Sequence, residues 1–144
     1  MTSRILVGVD GSETAAAAAH TAARLARALG AQLHVVSAFT RNEIERIEQG
    51  SDVFIHTNET GALTVADQEA SALRAEFAGL AVETTAAAGK PAEILVNLAK
   101  ELETDLIVVG NKRVQGLGRV LGSIAKDVAQ HAPCDVYIAH THHR

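Results

Sequence analysis

The sequence predicts an α/β fold, a three-layer sandwich in which a parallel sheet carries helices on both of its faces. Short apolar segments typical of strands alternate with segments of helical periodicity along the chain. Two of the apolar segments are continuous rather than alternating, which favours strands that are covered on both sides. Alternating strands and helices imply right-handed crossovers and a parallel sheet. The length of 144 residues suits a single domain over residues 1–144.

The first strand is predicted at residues 5–9, which read ILVGV. A helix over residues 13–29 should follow, because Ser12 is a suitable N-cap residue and Gly30 stands where a helix commonly ends. The predicted buried stripe of this helix consists of Ala15, Ala18, Ala19, Ala22, Leu25, Ala26 and Leu29.

The second strand is predicted at residues 33–39. Residues 40–60 are polar, charged and interrupted by Gly50, so we interpret this variable segment as a long loop or an irregular helix. Apolar residues then return at steps of three and four, which predicts a helix over residues 61–80.

The remaining segments complete the alternation. Residues 81–85 form a shorter and weaker predicted strand, and Pro91 opens the next helix from its first position. The strongest predicted strand covers residues 105–110. After a glycine-containing loop, a helix is expected over residues 120–130 and a final strand over residues 135–139.

Composition excludes several classes of function. The net charge of −4 and an aromatic content of 3% argue against non-specific nucleic-acid binding. Cys134 is the single cysteine, which excludes an internal disulfide and a four-cysteine zinc site. No run approaches the roughly 18 apolar residues of a membrane span. We therefore expect a soluble cytoplasmic protein with no nucleic-acid or membrane partner.

A ligand site is expected beyond the carboxyl ends of the strands, where the strand order reverses. Asp10 follows the first strand directly. Its carboxylate could accept hydrogen bonds from a ribose hydroxyl or a base amine, or it could fix the turn that starts the following helix. Position alone leaves both interpretations open.

The segment of residues 110–123 is the best candidate for an anion-binding loop. Its glycines allow close approach of the backbone, and Gly122 and Ser123 precede a helix whose free N–H groups favour phosphate. The segment is neither a Walker A sequence nor a Gly-x-Gly-x-x-Gly turn, which disfavours P-loop NTPases and NAD-dependent dehydrogenases. Its positive charge comes from Lys112, Arg113 and Arg119.

Five segments together resemble the universal stress protein family. They are residues 5–12 (ILVGVDGS), 89–94 (GKPAEI), 105–110 (DLIVVG), 121–123 (LGS) and 132–136 (APCDV). The resemblance implies a Rossmann-like fold of the adenine nucleotide alpha hydrolase type, with five parallel strands in the order 3-2-1-4-5. It also implies ATP, AMP or cyclic AMP as a ligand, with Mg²⁺ accompanying ATP, and a role as a stress-response sensor or modulator.

The resemblance also assigns a nucleotide site. Val9 and Asp10 would contact the adenosine, and Ala38 would contact adenine. The family loop Gly-x2-Gly-x9-Gly-[Ser/Thr] matches this chain at its first glycine and its last pair. The full candidate set is Val9, Asp10, Ala38, Val109, Gly110, Arg113, Gly116, Gly122 and Ser123. We expect no catalytic residue and at most slow ATP hydrolysis, since no Walker lysine is present.

The phosphate loop departs from the family pattern at one position. Arg113 stands where the pattern has its second glycine, and eight residues rather than nine separate it from Gly122. Gly116 could restore the curvature in a shifted register. The Arg113 guanidinium would suit a monophosphate or a cyclic phosphate. The departure also supports an alternative, a dimeric family member that binds no nucleotide and acts through a protein partner.

The last strand and the first turn bear on assembly and on enzyme class. The last strand, residues 135–139, carries no proline or lysine to block an exposed edge, which favours a homodimer through this strand. An adenylating or nucleotidyl-transferring enzyme would usually show a Ser-Gly-Gly-x-Asp-Ser loop or a His-x-Gly-His pair, and residues 8–12 are only superficially similar to the former.

Overall fold

A computed structural model of the chain describes residues 3–40, 58–111 and 121–141. Expectations for residues 41–57, 112–120 and 142–144 lie outside this part of the protein. The elements in chain order are β1 (Arg4–Gly8), α1 (Glu13–Leu29), β2 (Gln32–Phe39), α2 (Glu59–Glu76), β3 (Val82–Ala88), α3 (Pro91–Glu101), β4 (Leu106–Asn111), α4 (Ser123–His131) and β5 (Asp135–His140).

The five strands form one parallel sheet in the order β3-β2-β1-β4-β5. Helices α1 and α2 pack on one face of the sheet, and α3 and α4 pack on the other. The α/β fold class and the strand order 3-2-1-4-5 are therefore confirmed. The order reverses between β1 and β4, which places the expected ligand site at the carboxyl ends of these two strands.

The continuous apolar character of β1 reflects burial on both faces. Ile5 and Val7 lie in the core under α1 and α2, whereas Leu6 lies in the core under α3 and α4. All three side chains are at most 1% exposed. A strand with only one covered face would have alternated apolar and polar residues instead.

Helix α1 begins and ends as its sequence predicts. The Ser12 side chain accepts a hydrogen bond from the Ala15 N–H at 3.1 Å, and Gly30 adopts a left-handed φ of 67°. These two caps satisfy backbone groups that the helix itself leaves without partners. They fix where the chain leaves β1 and where it enters β2.

The bounds of α2 differ from the prediction at both ends. The helix begins at Glu59, because the Asn58 side chain accepts a hydrogen bond from the Gly61 N–H at 2.7 Å. The end of the predicted variable segment, residues 58–60, thus belongs to this helix start. The helix ends at Glu76, and the following turn contains Gly79 at a φ of 87°. The apolar spacing continues past Glu76 because residues of the turn are also part of the core.

Two other elements are shifted. Strand β3 has seven residues, Val82–Ala88, and extends three residues beyond the prediction because it pairs with β2 over its whole length. Helix α4 begins at Ser123 rather than at residue 120, with Gly122 as its N-cap residue. Among the described residues, no helix is long and apolar enough to cross a membrane.

Candidate functional site

A cavity of about 240 Å³ opens at the carboxyl ends of β1, β2 and β4. The N-terminal ends of α1, α3 and α4 surround it. Its lining residues are Gly8, Val9, Asp10, Ser12, Thr14, Ala15, Val36, Ala38, Pro91, Ile94, Leu95, Val108, Val109, Gly110, Gly122, Ile124 and Ala125. The cavity lies at the point of strand reversal, where an open parallel sheet most often holds its ligand.

Six of the nine candidate residues line this cavity. They are Val9, Asp10, Ala38, Val109, Gly110 and Gly122. Ser123 is the first residue of α4; it is exposed and does not itself line the cavity. Arg113 and Gly116 lie outside the described residues. The structure thus brings together residues from three strand ends and one helix start.

Asp10 is half-buried, and its Oδ1 accepts a hydrogen bond from the Ser12 N–H at 2.9 Å. This contact holds the turn before α1, which was one of the two interpretations that the sequence left open. Within the described part of the chain, the second carboxylate oxygen, Oδ2, has no hydrogen-bond partner. One carboxylate can therefore fix the turn and still offer an acceptor to a ligand.

The backbone continues the sheet just far enough to place this acid at the cavity. The Val9 N–H donates to the Val36 carbonyl at 2.8 Å, one residue beyond β1. Gly11 then adopts a φ of 88°, which an L residue rarely takes, and turns the chain toward α1. Asp10 lies between these two features.

The wall and floor of the cavity are apolar. Val36 and Ala38 come from β2, Ile94 and Leu95 from α3, and Val109 from β4. Asp10 is the single ionisable side chain among the described lining residues. A flat apolar group fits this part of the cavity better than a charged one, because a charge would lose hydration without gaining a partner.

The contribution of α3 to the cavity was missed in the sequence analysis. Pro91, Ile94 and Leu95 line the site from the first turns of this helix. A signal existed in the Gly89-Lys90-Pro91 segment, which marks a helix start directly after a strand. Only the packing of α3 across β1 and β2 shows that this start faces the cavity.

Gly110 sits where β4 lies against the start of α1. A Cβ atom at this position would lie 3.0 Å from Thr14 Cγ2 and 3.1 Å from the Thr14 carbonyl oxygen. Both distances are shorter than carbon atoms and their neighbours normally tolerate. The absence of a side chain at Gly110 therefore lets the end of β4 and the first turn of α1 form one side of the cavity.

The start of α4 offers hydrogen-bond donors to the cavity. Its N-cap residue is Gly122, and among the described residues no side chain caps its first turn. The Gly122 N–H itself donates to Asn111 Oδ1 at 2.7 Å. Free N–H groups and the helix dipole favour an anion at such a helix start. The site thus combines a carboxylate acceptor, an apolar wall and helix donors.

The Cys134 thiol does not line this cavity. Burial raises the pKa of the Cys134 thiol, and the charges of Asp135 and Asp105 act in the same direction. A thiol of this kind is a poor nucleophile at neutral pH. Over the described ranges, no group of three or more His, Cys, Asp or Glu side chains could hold a metal ion.

Comparisons with known proteins agree with this architecture. The sequence model of the universal stress protein family matches residues 1–140. A universal stress protein of Mycobacterium tuberculosis H37Rv is 35% identical over 141 residues, which cover 95% of each chain. The universal stress protein YxiE of Bacillus subtilis 168 is 32% identical over 146 residues, covering 96% of this chain and 99% of the relative.

Solved structures give the same result. A universal stress protein in complex with cAMP superposes with a TM-score of 0.69 at 29% identity, over 97% of this chain and 98% of that chain. A universal stress protein from Archaeoglobus fulgidus superposes with a TM-score of 0.73 at 24% identity, over 96% and 93% of the two chains, and supports the fold. From the family match and these relatives, the chain belongs to the universal stress protein family.

Proposed function

We propose that the cavity binds an adenine nucleotide and that the protein acts as a nucleotide-responsive sensor or modulator of the stress response. The observation that supports this proposal is the lining of the cavity, in which the Asp10 carboxylate and the start of α4 at Gly122 share one apolar pocket. A nucleoside phosphate presents hydroxyls, a flat base and an anion in a matching arrangement.

Each part of the ligand has a partner in this proposal. The base lies against Ala38 and Val36 and is held by burial of apolar surface. A ribose hydroxyl donates to Asp10. The phosphate lies near Gly110 and the first turn of α4, because the N–H groups of a helix start favour an anion. The solved relative in complex with cAMP, at 29% identity, supports a ligand of this class.

The proposal also concerns which adenine nucleotide binds. Cyclic AMP and AMP carry a single phosphate, which the start of α4 can accommodate alone. ATP would need the remainder of the loop, including Arg113 and Gly116, and would bring Mg²⁺ as its counterion. We propose ATP, AMP and cyclic AMP as the ligands to compare.

Calorimetric titration of the purified protein with these three nucleotides tests the proposal, after native mass spectrometry has shown whether nucleotide is retained. Asp10→Ala and Ser123→Ala should each weaken binding by about 1–3 kcal/mol if a hydrogen bond is lost. Ser71→Ala, at an exposed position of α2, is the control. Binding that is unchanged in both site variants would contradict the proposed placement.

A homodimer through β5 is part of the same proposal. Strand β5 lies at one edge of the sheet, and its Tyr137 side chain is 44% exposed. An unprotected edge strand tends to recruit another strand. Analytical ultracentrifugation should give a dimer mass that Tyr137→Lys reduces to that of a monomer. A monomeric wild-type protein at micromolar concentration would contradict this assembly.

The alternative function is that of a dimer that binds no nucleotide and acts through a protein partner. Arg113 at a glycine position of the family loop is the observation that favours it. The same titrations separate the two candidates, because the alternative requires that none of the three nucleotides binds at millimolar concentration.

A further inference from the structure

Asn111 connects the two ends of the candidate phosphate loop. It is the last residue of β4 and is 8% exposed. Its Oδ1 accepts a hydrogen bond from the Gly122 N–H at 2.7 Å, although the two residues are eleven positions apart. A partly buried hydrogen bond of this length and sequence separation holds the start of α4 against the end of β4.

We propose that Asn111 is a positioning residue that sets the preference of the cavity for phosphorylated over unphosphorylated adenine ligands. The inference rests on the proposed function and assigns to Asn111 a role through Gly122, without contact to the ligand. Asn111 would affect the binding of the phosphate and not the binding of the base.

The first argument is the way in which α4 is capped. Ser12 caps α1 and Asn58 caps α2 through their side chains, so each uses up an N–H group of its helix. Gly122 has no side chain and caps nothing. Asn111 holds this residue from outside by its N–H, so the helix start is fixed while the first-turn donors of α4 are left for a ligand.

The side chain of Asn111 is also uncharged, which matters for an anionic ligand. The Asn111 carboxamide supplies an acceptor oxygen without a negative charge, beside a helix start that is proposed to hold an anion. Aspartate would supply the same acceptor with a full charge. A charge in this buried place would repel a phosphate strongly and leave an uncharged nucleoside nearly unaffected.

Binding of adenosine and AMP to the wild type and to Asn111→Asp tests the inference, since the two ligands differ only in the phosphate. We expect Asn111→Asp to weaken AMP by at least about tenfold and adenosine by less than about threefold, as a local charge effect predicts. Asn97→Asp adds the same charge at an exposed position of α3 and should change neither affinity.

Asn111→Ala provides a second variant in case the charged one does not fold. It removes the tether, so the Gly122 amide should exchange faster with solvent by NMR, and the ratio of AMP to adenosine affinity should fall.

Equal weakening of adenosine and AMP in the Asn111 variants would overturn the inference, because a purely structural role affects both ligands. Wild-type affinity for both ligands in the Asn111 variants would also overturn it, and would leave the proposed function intact. A wild-type protein that binds neither ligand would overturn the proposed function itself, and this inference with it.

Discussion

Gly110 of β4 lies directly against Thr14 of α1 at the candidate site. A Cβ atom on Gly110 would lie 3.0 Å from Thr14 Cγ2, and Thr141 Cγ2 would lie 3.2 Å away on the other side. Neither contact can be relieved by moving a flexible side-chain end alone, since the Thr14 carbonyl oxygen lies at 3.1 Å. A side chain at this position therefore requires its neighbours on α1 to shift by a few tenths of an ångström.

Gly110→Ala should destabilise the protein by about 1–3 kcal/mol, because an added methyl group must push α1 away from the sheet. The same displacement should weaken nucleotide binding. Thermal unfolding followed by circular dichroism measures the first effect, and calorimetry the second. For the unfolding measurement Gly8→Ala is the matched control, since its Cβ would meet only side-chain atoms of Leu95, the nearest at 3.4 Å. Equal unfolding temperatures of the two variants would contradict the prediction.

Much of the fold could be predicted from the sequence, because local signals and packing agree. The continuous apolar run of β1 and the caps of α1 at Ser12 and Gly30 point to the structure that forms. Strand β3, in contrast, was predicted too short. Its residues VETTAAA have a weak strand preference, and its full length comes from pairing with β2. Pairing of this kind depends on tertiary context, which a local pattern cannot show.

Part of the candidate site could also be predicted from the sequence, because some of its residues lie at the ends of strands that have clear local signals. Asp10 and Gly110 end strands, so topology alone places them at one edge of the sheet. The Asn111–Gly122 hydrogen bond and the α3 wall depend on contacts between distant segments. No periodicity or capping pattern reports such contacts. Ser123 was predicted in the site from its motif; it is exposed at the start of α4, and its contact with a ligand stays a prediction.

Asp10→Asn should separate the two roles of this carboxylate. Asparagine keeps an oxygen for the Ser12 N–H, so the unfolding free energy should remain within about 0.5 kcal/mol of the wild type. Nucleotide affinity should still fall by about 1–2 kcal/mol, because a neutral acceptor bonds a ribose hydroxyl less strongly than a charged one. Asp10→Ala should lower both the unfolding free energy and the nucleotide affinity. Wild-type affinity in Asp10→Asn would show that the charge is not needed for binding.

Protonation of His34 should destabilise the protein in mild acid. Burial lowers the pKa of His34 below its ordinary value of 6.5; the nearby Glu83 opposes this shift and Arg4 adds to it. The unfolded state therefore binds the proton more readily than the folded state. The stability that the neutral ring contributes is present above pH 6.5 and is lost as the pH falls through the folded pKa.

The comparison of wild type with His34→Gln isolates this effect. Glutamine keeps a hydrogen-bonding group near Thr85, with which His34 Nε2 shares a hydrogen bond. Unfolding temperatures measured from pH 7.5 to pH 5 should fall more steeply for the wild type than for His34→Gln. His131→Gln controls for the replacement of an exposed histidine. Parallel pH profiles of wild type and His34→Gln would contradict the prediction.

Glu69 on α2 is half-buried, and burial raises its pKa above the ordinary value of 4.5. No hydrogen bond or ion pair to Glu69 occurs within the described residues. Its charged form is thus less favourable in the folded state than in the unfolded state. A group of this kind contributes stability below its unfolded pKa and loses that contribution as the pH rises through its folded pKa.

Glu69→Gln should therefore raise the unfolding temperature at pH 7, and the gain should disappear near pH 4, where the carboxyl group is protonated in both states. Glu59→Gln is the matched control on the same helix. Glu59 lies in the first turn of α2, where a negative charge is favourable, so its removal should lower the unfolding temperature or leave it unchanged. Because both variants alter the net charge equally, opposite shifts would locate the effect in the burial of Glu69. A lower unfolding temperature for Glu69→Gln at pH 7 would contradict this argument.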